Sequence, residues 1–233
     1  GLIGCGNIAE TYFRAQEYFN NINFVACADI NLDAAKKTAE QYNIIPLSVD
    51  EILNDKNVDI ILNLTIPQAH YEISKRALEA NKHVYCEKPM SVKFDDAKDL
   101  LNLASKKSLY IGNAPDTFLG GGGQQARKII DNNEVGQILT GNFIFAFPGV
   151  QDFHPNPESW FQEGGGPVID MGPYFFTTLV NLLGPAKNIR GRGAKFFEKR
   201  EYKAGPKKGQ TFNVDIPTSY MFNIEFQNKA IVQ

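Results

Sequence analysis

Cysteine is scarce in this 233-residue chain: Cys5, Cys27 and Cys86 are the only three. Their spacing lacks the close pairing of a zinc site, and an odd number does not build a disulfide framework. The expectation is reduced, buried thiols in a cytoplasmic protein with no metal site. Charge excess is missing too, since 24 Lys and Arg against 26 Asp and Glu leave a formal net charge of −2. That balance gives no electrostatic reason to expect nucleic acid, whose binders carry a basic patch or stripe. No apolar run approaches the roughly 20 residues needed to cross a bilayer, so no membrane partner is expected. Gly1-Leu2-Ile3-Gly4 lacks the charged start and cleavage region of a secretory signal. With no initial methionine, a start inside a strand-like run, and a final hairpin stopped in mid-strand, the chain reads as part of a longer protein.

What is present is an alternation of two hydrophobic periods. Short apolar runs at residues 2–5, 24–28, 44–47, 59–64, 83–86 and 109–112 read as strands. Helical stretches fall between them at residues 8–19, 33–42, 68–80 and 94–105, and Ser48-Val49-Asp50-Glu51 has the spacing of a capping box. Short apolar strands alternating with helices predict a parallel sheet covered on both faces. Right-handed crossovers then give a doubly wound Rossmann domain, here residues 1–113. After Asn113 the pattern changes. A glycine run at 120–123 precedes a helix from Gln124 to Asp131, and the aromatic segment 142–147 reads as a strand. A helix over 173–183 and later antiparallel strands complete an α+β domain with an open, mainly antiparallel sheet over residues 114–233.

Gly4-Cys5-Gly6-Asn7-Ile8-Ala9 matches G-x-G-x-x-A between a strand and a helix. Gly4 permits the tight turn, Gly6 lets backbone approach a pyrophosphate, and Ala9 lets the helix pack closely. Free N–H groups at the helix start, around Asn7 and Ile8, favour phosphate. Asp29 follows about twenty residues on, where a carboxylate hydrogen-bonds the ribose hydroxyls of NAD and repels the extra phosphate of NADP. NAD is the expected cofactor, with NADP the alternative. Glu87-Lys88-Pro89 follows the fifth strand, at the carboxyl end where doubly wound sheets bind ligands; a surface lysine before a turn proline is the plainer reading.

In order along the chain, the Gly4/Gly6/Ala9 turn, Asp29, Thr65-Ile66-Pro67 with His70, and Glu87-Lys88-Pro89 resemble the glucose–fructose oxidoreductase/inositol dehydrogenase (Gfo/Idh/MocA) family. Gly164-Gly165-Gly166-Pro167-Val168-Ile169-Asp170-Met171-Gly172 is similar to that family's G-G-G-x-x-x-D-x-G signature. The resemblance implies an NAD(P)-dependent oxidoreductase that moves a hydride between nicotinamide and a sugar or polyol. It implies that Thr65, Ile66 and Pro67 line the cofactor. Glu87 and His70 are further cofactor-side candidates, with helix capping or packing an equal reading for His70. Lys88 then lies near nicotinamide and substrate, Asp170 on the substrate side. Homo-dimers or homo-tetramers are implied as well. Two other activities stay open: a glycosidase using NAD transiently, and a non-catalytic dinucleotide-binding sensor.

One position departs from the family pattern. Many members carry a histidine acid/base four residues after the signature aspartate, and here that residue is Tyr174. A tyrosine's ordinary pKa of about 10 makes it a poor base at neutral pH, although a nearby ammonium favours the phenolate. Were the helix to include Asp170, the two side chains would share a face. His154, in a proline-held loop ahead of Trp160, is the second acid/base candidate. Trp160 reads either as a wall for a sugar or as core.

Overall fold

Successive residues along each strand of the first half go to opposite sides of one sheet, and both sides are covered. The computed structural model describes residues 1–233, and the chain divides into Gly1–Ala114 and Pro115–Gln233. In the first unit, β1 (Leu2–Ile3), β2 (Ala26–Ala28), β3 (Ile45–Pro46), β4 (Ile60–Asn63), β5 (His83–Cys86) and β6 (Ile111–Asn113) form a sheet in the order β3-β2-β1-β4-β5-β6. Every pairing in it is parallel. Ile3, Ala26, Ala28 and Ile61 join one core, while Leu2, Cys27 and Leu62 join the other. This is the two-residue period of a strand buried on both faces.

The crossovers are α1 (Ala9–Ala15), α2 (Leu32–Tyr42), α3 (Val49–Asn54), α4 (Pro67–Glu79) and α5 (Phe94–Lys106). Local chemistry starts several of them. The Asn31 side chain caps α2, Ser48 and Glu51 form a reciprocal capping box on α3, and Pro67 opens α4 where its missing N–H costs nothing. Strand order reverses between β1 and β4, so their following loops part and leave a crevice at the carboxyl ends. The first helix is shorter than its sequence suggests. It stops at Ala15 and tightens into a 3₁₀ turn over Gln16–Tyr18, because Tyr18 and Phe19 are exposed and bring no buried face to continue it.

In the second unit, α6 (Gly121–Asp131) and α7 (Gly172–Leu183) accompany a four-stranded sheet. Its strands are β7 (Thr140–Gly141), β8 (Ala186–Ala194), β11 (Ser219–Phe226) and β12 (Ile231–Val232), in the order β7-β12-β11-β8. The pairs β8/β11 and β11/β12 are antiparallel and β12/β7 is parallel, so the sheet is mixed. A separate antiparallel ribbon joins β9 (Lys199–Glu201) to β10 (Thr211–Asn213). Leu183, Ile224, Phe226 and Val232 make the core beneath α7.

Two sequence expectations fail here. Residues 142–147 are not a strand: the ladder ends at β7, after which only the Phe143 N–H reaches a neighbouring strand's chain, at the Gln233 carbonyl. Phe143 and Phe145 instead pack on the Phe175 ring at 4.4 and 5.1 Å. The glycine run does not precede a helix but begins it, with α6 starting at Gly121. A Cβ on Gly123 would lie 2.1 Å from the Phe118 carbonyl oxygen, so the 3₁₀ turn before the helix can fold onto it only at a glycine.

Candidate active site

The β1–α1 turn is held at both ends. The Gly4 N–H donates to Ala28 O at 2.9 Å, and Gly4 has a φ of +103°, open to glycine at little cost. A Cβ there would stand 2.6 Å from the backbone of Leu64, so the turn lies directly on the end of β4. At Gly6 a Cβ would meet nothing within 4 Å, which leaves the turn open on the side where the exposed Asn7 and Ile8 lead into α1. Ala9 is buried against the core that contains Leu2 and Leu62. Just past β2, Asp29 Oδ2 accepts the Cys5 N–H at 2.7 Å and Oδ1 accepts the Asn31 N–H at 2.8 Å. Each carboxylate oxygen keeps lone-pair capacity for a further donor. An uncovered turn of N–H groups beside a fixed carboxylate fits the diphosphate and ribose of a dinucleotide.

The thiol of Cys5 is only half-buried, against the expectation that all three would be enclosed; Cys27 and Cys86 are buried. The Cys5 thiol donates to Ala28 O at 3.7 Å and the Cys27 thiol to Ala35 O at 3.4 Å; the neighbouring thiol lowers Cys5 below its ordinary value and, with burial, raises Cys27.

The ends of β4 and β5 are joined by a polar network. Asn63, fully buried, accepts the Thr65 N–H and hydroxyl on Oδ1 at 3.2 and 2.7 Å. Its amide donates to His70 O and Ser74 Oγ, both at 3.0 Å. Ile66 is exposed beside Thr65, and Pro67 opens α4. For His70 the sequence left a cofactor contact and a packing role open. Its ring is 1% exposed, with Nδ1 2.6 Å from Pro89 O and Nε2 2.9 Å from Thr65 O. Both polar atoms of the ring are therefore committed to backbone, and its influence passes through the loops it touches.

Glu87 Oε1 accepts the Tyr12 hydroxyl at 3.0 Å and Oε2 accepts the Lys88 N–H at 2.9 Å. Asn113 donates its side-chain amide to Cys86 O and Glu87 O at 2.8 and 3.0 Å. The chain into Lys88 is thus pinned from two directions, and the Lys88–Pro89 peptide is cis. Lys88 itself is partly buried. Tyr12, Asn63 and Asn113 did not stand out in the sequence reading. Asn63 alone carried a local signal, as a polar residue inside the apolar run 60–64.

In the second unit, the chain 158–172 folds back on itself. A 3₁₀ turn over Glu158–Phe161 is followed by Gly164, Gly165 and Gly166, then by a π-helical turn over Pro167–Met171 that runs into α7. A Cβ on Gly165 would sit 2.4 Å from Ser159 O, which explains a glycine at this crossing. The fold-back brings Trp160 Nε1 to 3.0 Å from Asp170 Oδ2, where the indole donates. Tyr174, in the first turn of α7, is partly buried. His154 is exposed, and its Nδ1 accepts the Asn156 N–H at 3.1 Å. A cavity of about 750 Å³ in this unit is lined by Phe143, Phe145, Phe175, Phe176, Tyr220 and Trp160 among others. Of the candidate residues it contains Trp160 alone. Asp170 is not among its lining residues.

A doubly wound parallel sheet with a glycine turn and a strand-end carboxylate defines a Rossmann dinucleotide-binding protein. Residues 1–113 match the model described as an oxidoreductase family with an NAD-binding Rossmann fold, and residues 124–233 match the GFO/IDH/MocA C-terminal domain. The chain belongs to the Gfo/Idh/MocA oxidoreductase family. It is 31% identical over 152 residues to an uncharacterised oxidoreductase of Schizosaccharomyces pombe, covering 64% of this chain and 40% of that protein. It is 26% identical over 178 residues to a D-xylose dehydrogenase of Paenarthrobacter nicotinovorans, covering 73% of this chain and 46% of that one. An NAD-binding oxidoreductase of Klebsiella pneumoniae superposes with a TM-score of 0.84 at 21% identity, over 100% of this chain and 64% of the other. The chain therefore spans less than half the length of these two curated relatives and about two thirds of that solved structure.

Proposed function

We propose that this chain is the cofactor-binding part, and a portion of the substrate-binding part, of an NAD-dependent dehydrogenase acting on the CH–OH group of a sugar or polyol. The observation that carries the reading is the Cys5–Asp29 hydrogen bond, which makes the phosphate-binding turn and the ribose-binding carboxylate one structure. In it, Gly4, Gly6, Asn7, Ile8 and Ala9 meet the diphosphate, Asp29 the ribose, and Thr65, Ile66 and Pro67 the nicotinamide half. NAD is preferred over NADP because the Asp29 charge repels a ribose phosphate. The bound dinucleotide supplies the hydride acceptor or donor. The chain supplies placement and charge. The Lys88 ammonium polarises the reacting hydroxyl and takes part in moving its proton, Asp170 orients neighbouring hydroxyls, and Tyr174 or His154 completes the proton path. The sugar or polyol class is supported by the D-xylose dehydrogenase relative.

By the same reading, residues 1–113 are the dinucleotide-binding domain and residues 114–233 the substrate and oligomerisation domain of a cytoplasmic homo-oligomer. No helix is long and apolar enough to cross a membrane. The test is calorimetric titration of the full-length protein with NADH and with NADPH, followed by a polyol and aldose screen for NADH formation. Tight NADH binding with turnover supports the reading. Binding of neither dinucleotide removes it, and NADPH preference removes the role of Asp29 alone.

A further inference from the structure

His70 is the one histidine whose two ring nitrogens both face oxygen. Nδ1 lies 2.6 Å from Pro89 O and Nε2 lies 2.9 Å from Thr65 O. A carbonyl oxygen accepts and has nothing to donate. A neutral imidazole carries a single N–H, so its other nitrogen would set a lone pair against a carbonyl lone pair in a buried place. Only the doubly protonated ring satisfies both contacts. The remaining histidines differ: His83 Nδ1 accepts the Tyr110 N–H at 2.9 Å and His154 Nδ1 accepts the Asn156 N–H at 3.1 Å.

The two carbonyls belong to different loops. Thr65 follows β4, and Pro89 follows β5, next to Lys88. We propose that His70 is a positioning residue whose doubly protonated ring braces the Thr65 loop to the Glu87–Pro89 loop and so fixes Lys88. Asn63 supports the brace from below by holding the Thr65 hydroxyl and the His70 carbonyl. On the far side of Lys88, Asn113 and the Glu87 carboxylate hold the incoming backbone. Lys88 therefore sits between a brace before it and a brace after it.

The charge on the ring is balanced by carbonyl dipoles. Burial pushes the Cys86 thiol, at the end of β5, up to about 12 and keeps it neutral. The Glu87 carboxylate is engaged by Tyr12 and by the Lys88 N–H. Tyr71 and Lys75, on α4 itself, are paired with Asp99 of α5. Glu72, Arg76 and Glu79 are the other ionisable groups of α4, and His83, Tyr85 and Lys88 lie on β5 and just past it.

The proposal rests on Lys88 being the catalytic lysine, and its tests separate the two. Long-range proton–nitrogen spectra of histidine-labelled protein, just above neutral pH, report each ring nitrogen directly, and His70→Gln identifies the His70 signals by their loss. Both His70 nitrogens are expected in the protonated range, and His83 is expected to show an unprotonated one. An unprotonated His70 nitrogen overturns the proposal. Amide exchange follows the brace itself. In His70→Leu, exchange at residues 64–66 and 86–90 is expected to rise by about tenfold or more, while His70→Gln, whose amide has two hydrogens, stays within about threefold of the parent. Unchanged loop exchange in His70→Leu equally overturns it. Should His70→Leu fail to fold, the parent spectra and His70→Gln decide. In turnover, His70→Leu is expected to lower kcat about 100-fold with a smaller change in NADH affinity. If the parent turns over no polyol or sugar, the role of Lys88 falls, while the nitrogen spectra still decide the protonation of His70.

Discussion

Trp160 donates its indole N–H to the Asp170 carboxylate at 3.0 Å, and the three glycines from 164 to 166 let the chain fold back far enough for that bond to form. The signature glycines thus set where the Asp170 carboxylate points. Trp160→Phe keeps an aromatic ring against Phe161, which packs edge-on at 4.8 Å, but removes the donor. A hydrogen bond to a charged group contributes about 1.5–3 kcal/mol, so kcat/KM is expected to fall about tenfold or more with little change in NADH affinity. Steady-state kinetics beside a cofactor titration check this. Asp170→Asn should also shift the part of the tryptophan emission that Trp160→Phe removes.

Asp29 is the residue through which cofactor choice is expected to change. Asp29→Ser removes the negative charge and one ribose acceptor, so NADH affinity should drop by about ten- to a hundredfold. NADPH affinity should hold or rise. Paired calorimetric titrations read both constants, and an unchanged NADH affinity would mean that the ribose lies elsewhere.

Lys88→Met preserves much of the side chain's length and apolar stem while deleting the ammonium. Turnover is expected to fall by about 100-fold or more, with cofactor binding nearly intact. Single-turnover measurements locate the loss in the chemical step. Equal losses in cofactor binding and turnover would instead make Lys88 a structural residue.

Acid should loosen the second unit in a defined window. Hydrogen bonds from Lys207 and Tyr202 hold the Glu158 carboxyl at about 2, below its ordinary value of 4.5. A depressed acid stabilises the fold fully above its unfolded pKa, and that contribution disappears as pH falls toward the folded value. Urea midpoints of the parent should therefore decline between about pH 4.5 and 2 more steeply than those of Glu158→Gln. Parallel declines would show that Glu158 carries no part of the acid sensitivity.

The Rossmann half was legible because its signals are local. Apolar runs of four to six residues, a capping box and a glycine turn each carry their meaning within one turn or strand. Asp29 was legible by its distance from that turn. The residues that brace the site were not, because they act across the sequence: Tyr12 meets Glu87 and Asn113 meets Cys86, pairings that no periodicity encodes. His70 was legible as standing just past the cofactor loop, but its two ring contacts were not, since they lie on loops far apart in the chain. The aromatic segment 142–147 had the composition of a strand, yet a strand also needs a partner ladder, and beyond β7 only the Phe143 N–H pairs with a neighbouring segment, while Phe143 and Phe145 pack on Phe175. The π-helical turn that carries Asp170 was equally invisible, because it arises from the glycine fold-back before it and the proline-led helix after it.

The bond between the Cys5 N–H and Asp29 has a consequence for how such a protein changes over generations. A substitution at position 29 alters ribose recognition and simultaneously frees a donor in the neighbouring turn. Both donors, at 5 and 31, are main-chain N–H groups that persist whatever side chains stand there. A new residue at 29 must therefore supply an acceptor for the turn as well as a fit to the cofactor, which favours short side chains with an oxygen over purely apolar ones.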